Sequence, residues 1–225
     1  MSDTLQRAVE IAKELERRKL TNRLREYKPY DYQKKFHNII GAQRLLMAGN
    51  RIGKSFCGAA EVAIHLTGKY PDWWKGKKFA RPIRAWVGGV SNETTRDVCQ
   101  KELVGQPDDP SARGTGAIPL EDIGETTRKP GVPNAMNSLV VRHASGGWSR
   151  CAFKAYEMGK EKWMGESLDV ICFTTTLFTA FGTPAFLTVS PISFNGIEPV
   201  PFAVGSSGWP RSSFWQTSLV VSLET

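Results

Sequence analysis

The sequence predicts an α/β fold in which parallel strands alternate with crossover helices. Three observations support this: an apolar run at 44–48 that enters a glycine-containing turn, a helical pattern directly after that turn, and a second apolar run at 83–90 that is again followed by a helical pattern. Such alternation is typical of parallel sheets, because parallel neighbours need a crossover connection. With 225 residues the chain forms one large or two small domains with a sizeable core.

The first element is an amphipathic helix within residues 1–26, since the segment from about 4 to 26 is charged and contains neither Gly nor Pro. Ser2 or Asp3 is the predicted N-cap, and Pro29 stops the helix from continuing. The apolar positions on one helical face are Leu5, Val9, Ala12 and Leu15. This face packs either on the main domain or on a partner subunit, and the pattern does not distinguish the two.

Residues 48–55 read A-G-N-R-I-G-K-S, which matches the pattern of a phosphate-binding P-loop. Gly49 and Gly53 let the backbone curl, so that successive N–H groups point at phosphate oxygens. Lys54 supplies a positive charge for the β- and γ-phosphates, and the Ser55 hydroxyl is placed to hold Mg²⁺. The alternative is a chance surface loop ending in Gly-Lys-Ser, but the strand before it and the helix after it favour a nucleotide site.

Gln33 precedes the P-loop lysine by about twenty residues and is a candidate for recognising adenine, because its amide offers both a donor and an acceptor. Tyr30 or Tyr32 is then the side chain that stacks on the base. The alternative is a glutamine that faces solvent on a helix, and the residues alone do not exclude it. Together with the P-loop, these side chains predict a site for ATP and Mg²⁺.

The remaining elements follow the P-loop helix in order. A strand at 83–90 leads into a helix capped by Ser91 or Asn92. Residues 105–135 are rich in Gly and Pro and are predicted to be mostly loop. Two alternating runs flank S-G-G-W and predict a β-hairpin, and a last apolar strand covers 168–173.

Composition excludes several kinds of site. The four cysteines are widely separated and the three histidines do not cluster along the chain, so neither a zinc site nor a disulfide framework is predicted. His37, His65 and His143 are expected to be surface or structural residues. No secretory leader and no apolar run of membrane-spanning length occur, which predicts a soluble, cytosolic chain without a membrane partner. The net charge of +8 suits either a nucleic-acid partner or a solvated basic surface.

A series of segments in order resembles the ATPase domain of tailed-phage terminase large subunits over about residues 26–173. The segments are Y-D-Y-Q-K-K-F-H, L-M-A-G-N-R-I-G-K-S, Y-P-D-W-W-K-G, R-A-W-V-G-G-V-S-N-E-T-T-R-D, G-T-G-A-I-P and F-K-A-Y-E-M-G-K-E-K-W-M-G-E-S-L-D. The resemblance implies a RecA-like P-loop NTPase fold for 27–173 that drives double-stranded DNA into an empty capsid. It also implies a terminase small subunit, a portal protein and a homo-oligomeric ring as partners, in the cytoplasm of the bacterial host.

Carried over by position, the resemblance implies that Gln33 reads adenine and that Lys54 and Ser55 hold phosphate and Mg²⁺. Arg51 would sit near the γ-phosphate and act with Lys54 as a catalytic residue, by stabilising the charge that develops in phosphoryl transfer. The other nucleotide-binding positions are Gly49, Asn50, Ile52 and Gly53.

The chain departs from the family pattern after the strand at 168–173. The family places Asp-Glu there, the aspartate holding Mg²⁺ through water and the glutamate orienting the attacking water, whereas this chain has Thr174 and Thr175. Threonine carries no negative charge and accepts no proton near neutral pH, so both roles are vacant and ATPase activity is doubtful. Asp169 lies about 13 Å from the end of the strand at the rise of a β-strand and does not replace them.

Composition changes at the same place. Only three residues of 173–225 are charged: Glu198, Arg211 and Glu224. We hypothesise that translation has left the ancestral frame near Phe173. On this hypothesis 174–225 is an atypical, poorly ordered tail, the ATPase sheet is incomplete at its C-terminal part, and the family's nuclease domain is absent. An apolar, β-rich segment that packs on the sheet is the alternative.

The sequence is consistent with three functions. The first is the ATP-driven motor domain of a terminase large subunit. The second is a non-catalytic remnant, such as a prophage fragment, that lacks the acidic pair and the nuclease. The third is a P-loop helicase or repair ATPase outside phages, which the W-W-K-G and N-E-T-T-R-D segments disfavour.

Overall fold

The computed structural model describes residues 3–41, 43–48, 51–163, 165–175, 185–190 and 220–221. Its helices are α1 (Asp3–Leu20), α2 (Asp31–Asn38), α3 (Lys54–Thr67), α4 (Asn92–Thr94) and α5 (Lys101–Leu103). A π-helical stretch, Thr95–Gln100, joins α4 and α5 into one continuous helix. Its strands are β1 (Arg44–Ala48), β2 (Arg84–Gly89), β3 (Ile123–Arg128), β4 (Met136–Arg142), β5 (Trp148–Ala155), β6 (Val170–Thr175), β7 (Ala185–Ser190) and β8 (Val220–Val221). Short 3₁₀ helices lie at Pro110–Ala112, Leu120–Asp122, Tyr156–Met158 and Lys160–Trp163.

The strands form one sheet in the order β3-β4-β5-β2-β6-β7-β1-β8. β2 pairs parallel with β5 and with β6, and the other neighbouring pairs are antiparallel. Strands β1, β2, β5 and β6 therefore run in one direction, and their carboxyl ends share one edge of the sheet. The α/β class is confirmed, but the sheet is mixed rather than parallel. One reason is the short turn between β4 and β5, since such a turn joins only antiparallel strands.

Helix α3 is the central buried element. It begins after Gly53 and ends at Gly68, whose φ angles are +79° and +66°, a left-handed conformation that glycine adopts readily. All residues from 57 to 67 are buried, so the helix has no solvent-facing side over most of its length. It shares one core with apolar side chains of four strands: Ala85, Val87, Leu139, Val141, Cys151, Phe153, Val170 and Cys172.

The opposite face of the sheet is covered, over part of β2, β5 and β6, by residues 163 and 165–168. The indole Nε1 of Trp86 donates to Glu166 at 3.0 Å, which ties this segment to β2. The apolar side chains of this second cluster are Trp86, Leu168 and Ile171, with Ala152, Trp163 and Phe173 packed against them. This cover fixes the carboxyl ends of β2 and β6.

Most elements near the P-loop agree with prediction. β1 spans the predicted residues, α3 begins at Lys54, one residue before the predicted start, and β4 and β5 form the predicted hairpin. α1 ends at Leu20, short of the predicted limit at residue 26. The loop prediction for 105–135 missed β3. The pairing of β3 with β4 contains register shifts, so its sequence shows only a weak alternation of apolar and polar residues. In the described part of the chain, no helix is long and apolar enough to cross a membrane.

The last predicted strand, 168–173, lies two residues further along the chain than expected. β6 begins at Val170 and includes Thr174 and Thr175. Beyond it, β7 lies between β6 and β1, and β8 pairs with the other edge of β1. Residues 176–184, 191–219 and 222–225 lie outside the described residues. Where the structure describes residues of the predicted tail, at 174–175, 185–190 and 220–221, they lie in strands of the sheet. The order of the remaining tail residues, the shift of reading frame, the missing nuclease and the RecA-like identity of the fold stay predictions.

Candidate nucleotide site

The P-loop joins the carboxyl end of β1 to α3, and its described part turns sharply. Arg51 and Gly53 both have positive φ, +61° and +79°. A non-glycine residue in this region costs about 1 kcal/mol or more, so the surrounding structure must hold Arg51 in place. Turns of this kind direct consecutive N–H groups toward a common centre, which suits an anion. The predicted site residues Gly49 and Asn50 lie outside the described residues.

The amino end of α3 lies directly behind this turn. Its first helical hydrogen bond runs from Cys57 N–H to Gly53 O at 2.9 Å. The N–H groups of residues 54–56 therefore precede the first hydrogen bond within the helix. Among the described residues, no side chain caps this end, and the first turn contains no acidic residue. A helix of 14 residues with such an amino end attracts phosphate through its N–H groups and its dipole.

Three predicted side chains surround this helix end. Lys54 is half-buried, and its burial lowers the pKa of its ammonium. Ser55 is half-buried on the first turn of α3, and Arg51 is exposed on the loop. Because the Lys54 ammonium has lost part of its water, its attraction to a nearby anion is stronger than at an open surface. The arrangement can therefore hold a polyphosphate group.

Gln33 does not face solvent, since it is only 3% exposed and its amide contacts the P-loop. Its Nε2 donates to the carbonyl oxygens of Ile52 and Gly53, at 3.5 and 3.3 Å. Its Oε1 accepts from the backbone N–H of Tyr30 at 3.0 Å. Tyr32 also donates its hydroxyl hydrogen to Ile52 O. Helix α2 thus braces the loop just before α3, while adenine recognition by Gln33 stays a prediction.

The two tyrosines differ in their accessibility to a base. Tyr30 and Tyr32 stack on each other, with ring centroids 5.9 Å apart. Tyr30 is 66% exposed, whereas Tyr32 is half-buried and held to the loop by its hydroxyl. Tyr30 is therefore the more accessible of the two, and stacking of either ring on adenine stays a prediction.

Replacing Gln33 by alanine is expected to weaken MgATP binding by about 5-fold, because the loop loses one hydrogen-bonding brace of about 1 kcal/mol. Titration with a fluorescent ATP analogue measures the change. Lys34→Ala, on the exposed side of the same helix, is the control and should bind as the parent chain does. Equal affinity in both variants would show that the brace plays no part in binding.

A buried charged cluster lies behind the brace. Glu61 of α3 binds Arg44 Nη2, His37 Nδ1 and, at 3.1 Å, His65 Nε2, and these side chains are at most 2% exposed. Burial by itself raises the pKa of Glu61, but the Arg44 charge and the hydrogen bonds from the two histidines outweigh it and hold the pKa below its ordinary range. Glu61 is therefore ionised in the interior, where it joins α2, β1 and α3.

Tyr27 connects this cluster to the brace. Its hydroxyl lies 2.9 Å from His37 Nε2 and 3.5 Å from Gln33 Oε1, so polar contacts run continuously from Glu61 to the P-loop. The prediction that the histidines do not cluster holds only along the chain, because His37 and His65 meet at Glu61 in the fold. The available signal was an acidic residue within an apolar helix, since a buried carboxylate must be paired.

The end of β6, where the resemblance implies an acidic pair, is separated from the P-loop strand by one other strand. Thr174 and Thr175 end β6, and β7 separates that strand from β1. Two strand spacings put the end of β6 about 10 Å from β1. Asp169 precedes the opposite end of β6, where it pairs with Arg81 at 2.6 Å. Threonine carries no charge, and Asp169 holds its charge at the opposite end of the strand, so these three residues place no negative charge at the end of β6 near the loop.

The residues of the site fit the phosphates of ATP more fully than they fit Mg²⁺. Mg²⁺ sites typically combine one or two carboxylates with phosphate oxygens and water. Within the described ranges, no group of three His, Cys, Asp or Glu side chains could hold a metal ion. Ser55 contributes one hydroxyl, so Mg²⁺ at this site would rely on the nucleotide's own oxygens and on water.

Known proteins match this chain over its P-loop region. The family described as terminase large subunit, T4-like-virus type, N-terminal, matches residues 45–174, from β1 almost to the end of β6. The terminase large subunit of Salmonella phage P22 is 39% identical over 186 residues, which cover 73% of this chain and 37% of that protein. The chain thus spans little more than a third of the length of this relative. No solved structure matches the chain. Because the family match covers more than half of the chain, this chain belongs to the terminase large subunit family.

Proposed function

We propose that this chain is the ATP-binding motor domain of a phage terminase large subunit, which couples ATP hydrolysis to the packaging of viral DNA into the capsid. The observation that carries the proposal is the amino end of α3 behind the P-loop turn, which no described side chain caps and which has Lys54 and Ser55 on its first turn. Membership of the family supports it, since the terminase large subunit family implies DNA packaging.

In this proposal each group at the loop has one task. The N–H groups at 53–56 and the Lys54 ammonium hold the β- and γ-phosphates, and Ser55 holds Mg²⁺ together with phosphate oxygens and water. Mg²⁺ neutralises charge on the phosphates when bound. Arg51 adds positive charge near the γ-phosphate, where charge develops in phosphoryl transfer. Gln33 keeps the loop in its binding conformation and reads the adenine edge.

The partners follow from the packaging role. They are double-stranded DNA, a terminase small subunit, a portal protein and further copies of the chain in a ring, in the cytoplasm of the bacterial host. The net charge of +8 has the sign that duplex DNA attracts.

A second candidate is a non-catalytic remnant that binds nucleotide and does no work. The observation that favours it is the end of β6, where Thr174 and Thr175 stand in place of an acidic pair and β7 separates the strand from β1. Without a carboxylate at this end, the strand can neither orient the attacking water nor assist in holding Mg²⁺.

Nucleotide binding and phosphate release, measured on one preparation with and without Mg²⁺, separate the two candidates. The motor proposal expects binding and steady phosphate release that Lys54→Ala abolishes. For a non-catalytic remnant we expect nucleotide binding without phosphate release.

The double variant Thr174→Asp/Thr175→Glu tests the missing acids. A correctly placed general base contributes about 10²–10⁴-fold. We expect an increase in phosphate release well below that range, because β7 holds β6 away from the loop. Thr126→Asp/Thr127→Glu makes the same substitutions on β3 and is the control. An increase within that range for the first variant alone would show that β6 reaches the nucleotide.

A further inference from the structure

Three arginines stand on the sheet face opposite α3. Arg84 of β2 and Arg150 of β5 are directly paired in the parallel ladder, and Arg142 of β4 is paired with Trp148 of β5. Paired residues project to the same face, and so do residues two apart on one strand. The register therefore places these four side chains together, and we call them the arginine face.

The arginine face is open to solvent. Its strands alternate, with Ala85 and Cys151 buried toward α3 and Arg84 and Arg150 exposed on the other side. Arg142 is exposed as well, and Trp148 is 53% exposed. Residues 163 and 165–168 cover the neighbouring part of the same face but leave these positions uncovered.

The charges of this face are unbalanced. Within the described part of the chain, no carboxylate pairs with the Arg84, Arg142 or Arg150 guanidinium groups. Asp169 lies nearby, but it pairs with the Arg81 side chain and accepts from the backbone N–H of Arg84. Like charges placed directly opposite each other in a sheet destabilise it. The pair Arg84 and Arg150 is thus an unfavourable arrangement that a bound anion would relieve.

We propose that the arginine face contacts the phosphate backbone of double-stranded DNA. The proposal rests on the proposed function, from which DNA is taken as a partner. The guanidinium fork matches phosphate oxygens in a bidentate way, and the three arginines spread over about 10 Å of sheet, two strand spacings wide. The Arg142 guanidinium lies 5.6 Å from the centre of the Trp148 ring, which limits its freedom before binding. Phosphate contacts of this kind are independent of sequence, as a motor that moves along any DNA requires.

A second basic region supplies a matched control. Lys34, Lys35 and Lys75 line a groove of about 530 Å³ between α2 and the loop at 73–75. Asp31 lines the same groove and offsets part of its charge. Replacing these three lysines by glutamine removes the same formal charge as replacing the three arginines, but from a different surface.

The experiment measures binding of the full chain to a fluorescent duplex of about 30 base pairs, without nucleotide, at about 50 to 200 mM salt. For Arg84→Gln/Arg142→Gln/Arg150→Gln we expect an affinity about 10–100-fold weaker at the lowest salt, and a salt slope smaller by about 3. The lysine triple variant should change affinity much less. The midpoint temperature of thermal unfolding of the arginine variant should be unchanged or higher than that of the parent chain, because the opposed charges are gone.

The outcomes are decisive in both directions. Equal losses in the two triple variants would show that only total charge matters and would overturn the proposal. Unchanged DNA binding in the arginine variant, or no DNA binding by the parent chain, would overturn it too. A changed oligomeric state with unchanged DNA affinity would assign the face to protein contact instead. Because nucleotide is absent, failure to bind MgATP would count against the motor proposal while leaving this result intact.

Discussion

Lys54→Ala is expected to raise the dissociation constant of MgATP by about 10–100-fold, which corresponds to the loss of one charge-assisted contact of about 1.5–3 kcal/mol. The Lys54 side chain is half-buried at the amino end of α3 and is less hydrated than that of a surface lysine. When the side chain is removed, the phosphate therefore loses a contact that water does not fully replace. Titration calorimetry with MgATP measures the change.

The control for this prediction is Lys101→Ala, which removes the same charge from an exposed position on α5. Its dissociation constant should stay within about twofold of the parent value, because distant surface charges are screened. If Lys54→Ala also binds MgATP as the parent does, while both variants remain folded, the nucleotide binds elsewhere and the P-loop assignment is wrong.

Glu61→Gln is expected to lower the free energy of unfolding by about 3–5 kcal/mol, because it leaves the Arg44 guanidinium buried without an opposing charge. Arg44 is 2% exposed and Glu61 is fully buried, so water cannot replace the lost partner. Denaturant unfolding near neutral pH measures the loss. Glu14→Gln makes the same substitution at an exposed pair with Arg17 on α1 and should change stability little.

Acid should reduce the difference between the parent chain and Glu61→Gln. The folded-state pKa of Glu61 is below its ordinary value, so the ionised carboxylate stabilises the fold above the unfolded-state pKa of about 4.3. That stabilisation is lost progressively as the pH falls from there toward the folded-state pKa. A stability difference that stayed constant from about pH 7 to pH 3 would contradict a lowered pKa of Glu61 in the folded chain.

The elements around the P-loop could be predicted because their signals are local. An apolar run, a glycine turn and an alanine-rich helix lie within one stretch, and β1 and α3 follow from it. Strand order is a property of the whole chain. No short pattern indicates that β7 lies between β6 and β1, because the sequence of an apolar strand does not specify which strands it pairs with.

The candidate site divides in the same way. Lys54, Ser55 and Arg51 follow from the motif, whereas the partners of Gln33 depend on how α2 packs against the loop. The spacing of Gln33 from the lysine predicts adenine recognition, whereas in the fold its amide contacts the carbonyl groups of the loop. The contacts of Glu61 were not predictable from spacing, because they come from three separate elements.

The cluster around Glu61 constrains how this chain can diverge. Arg44, His37 and His65 share one carboxylate, so a change at any one of these positions leaves a buried charge or a buried hydrogen-bonding group unmatched. A lineage would therefore lose the glutamate only together with its arginine, or after a suppressor substitution that fills the space with apolar atoms. Among related chains, these positions should be inherited as a block and replaced as a block.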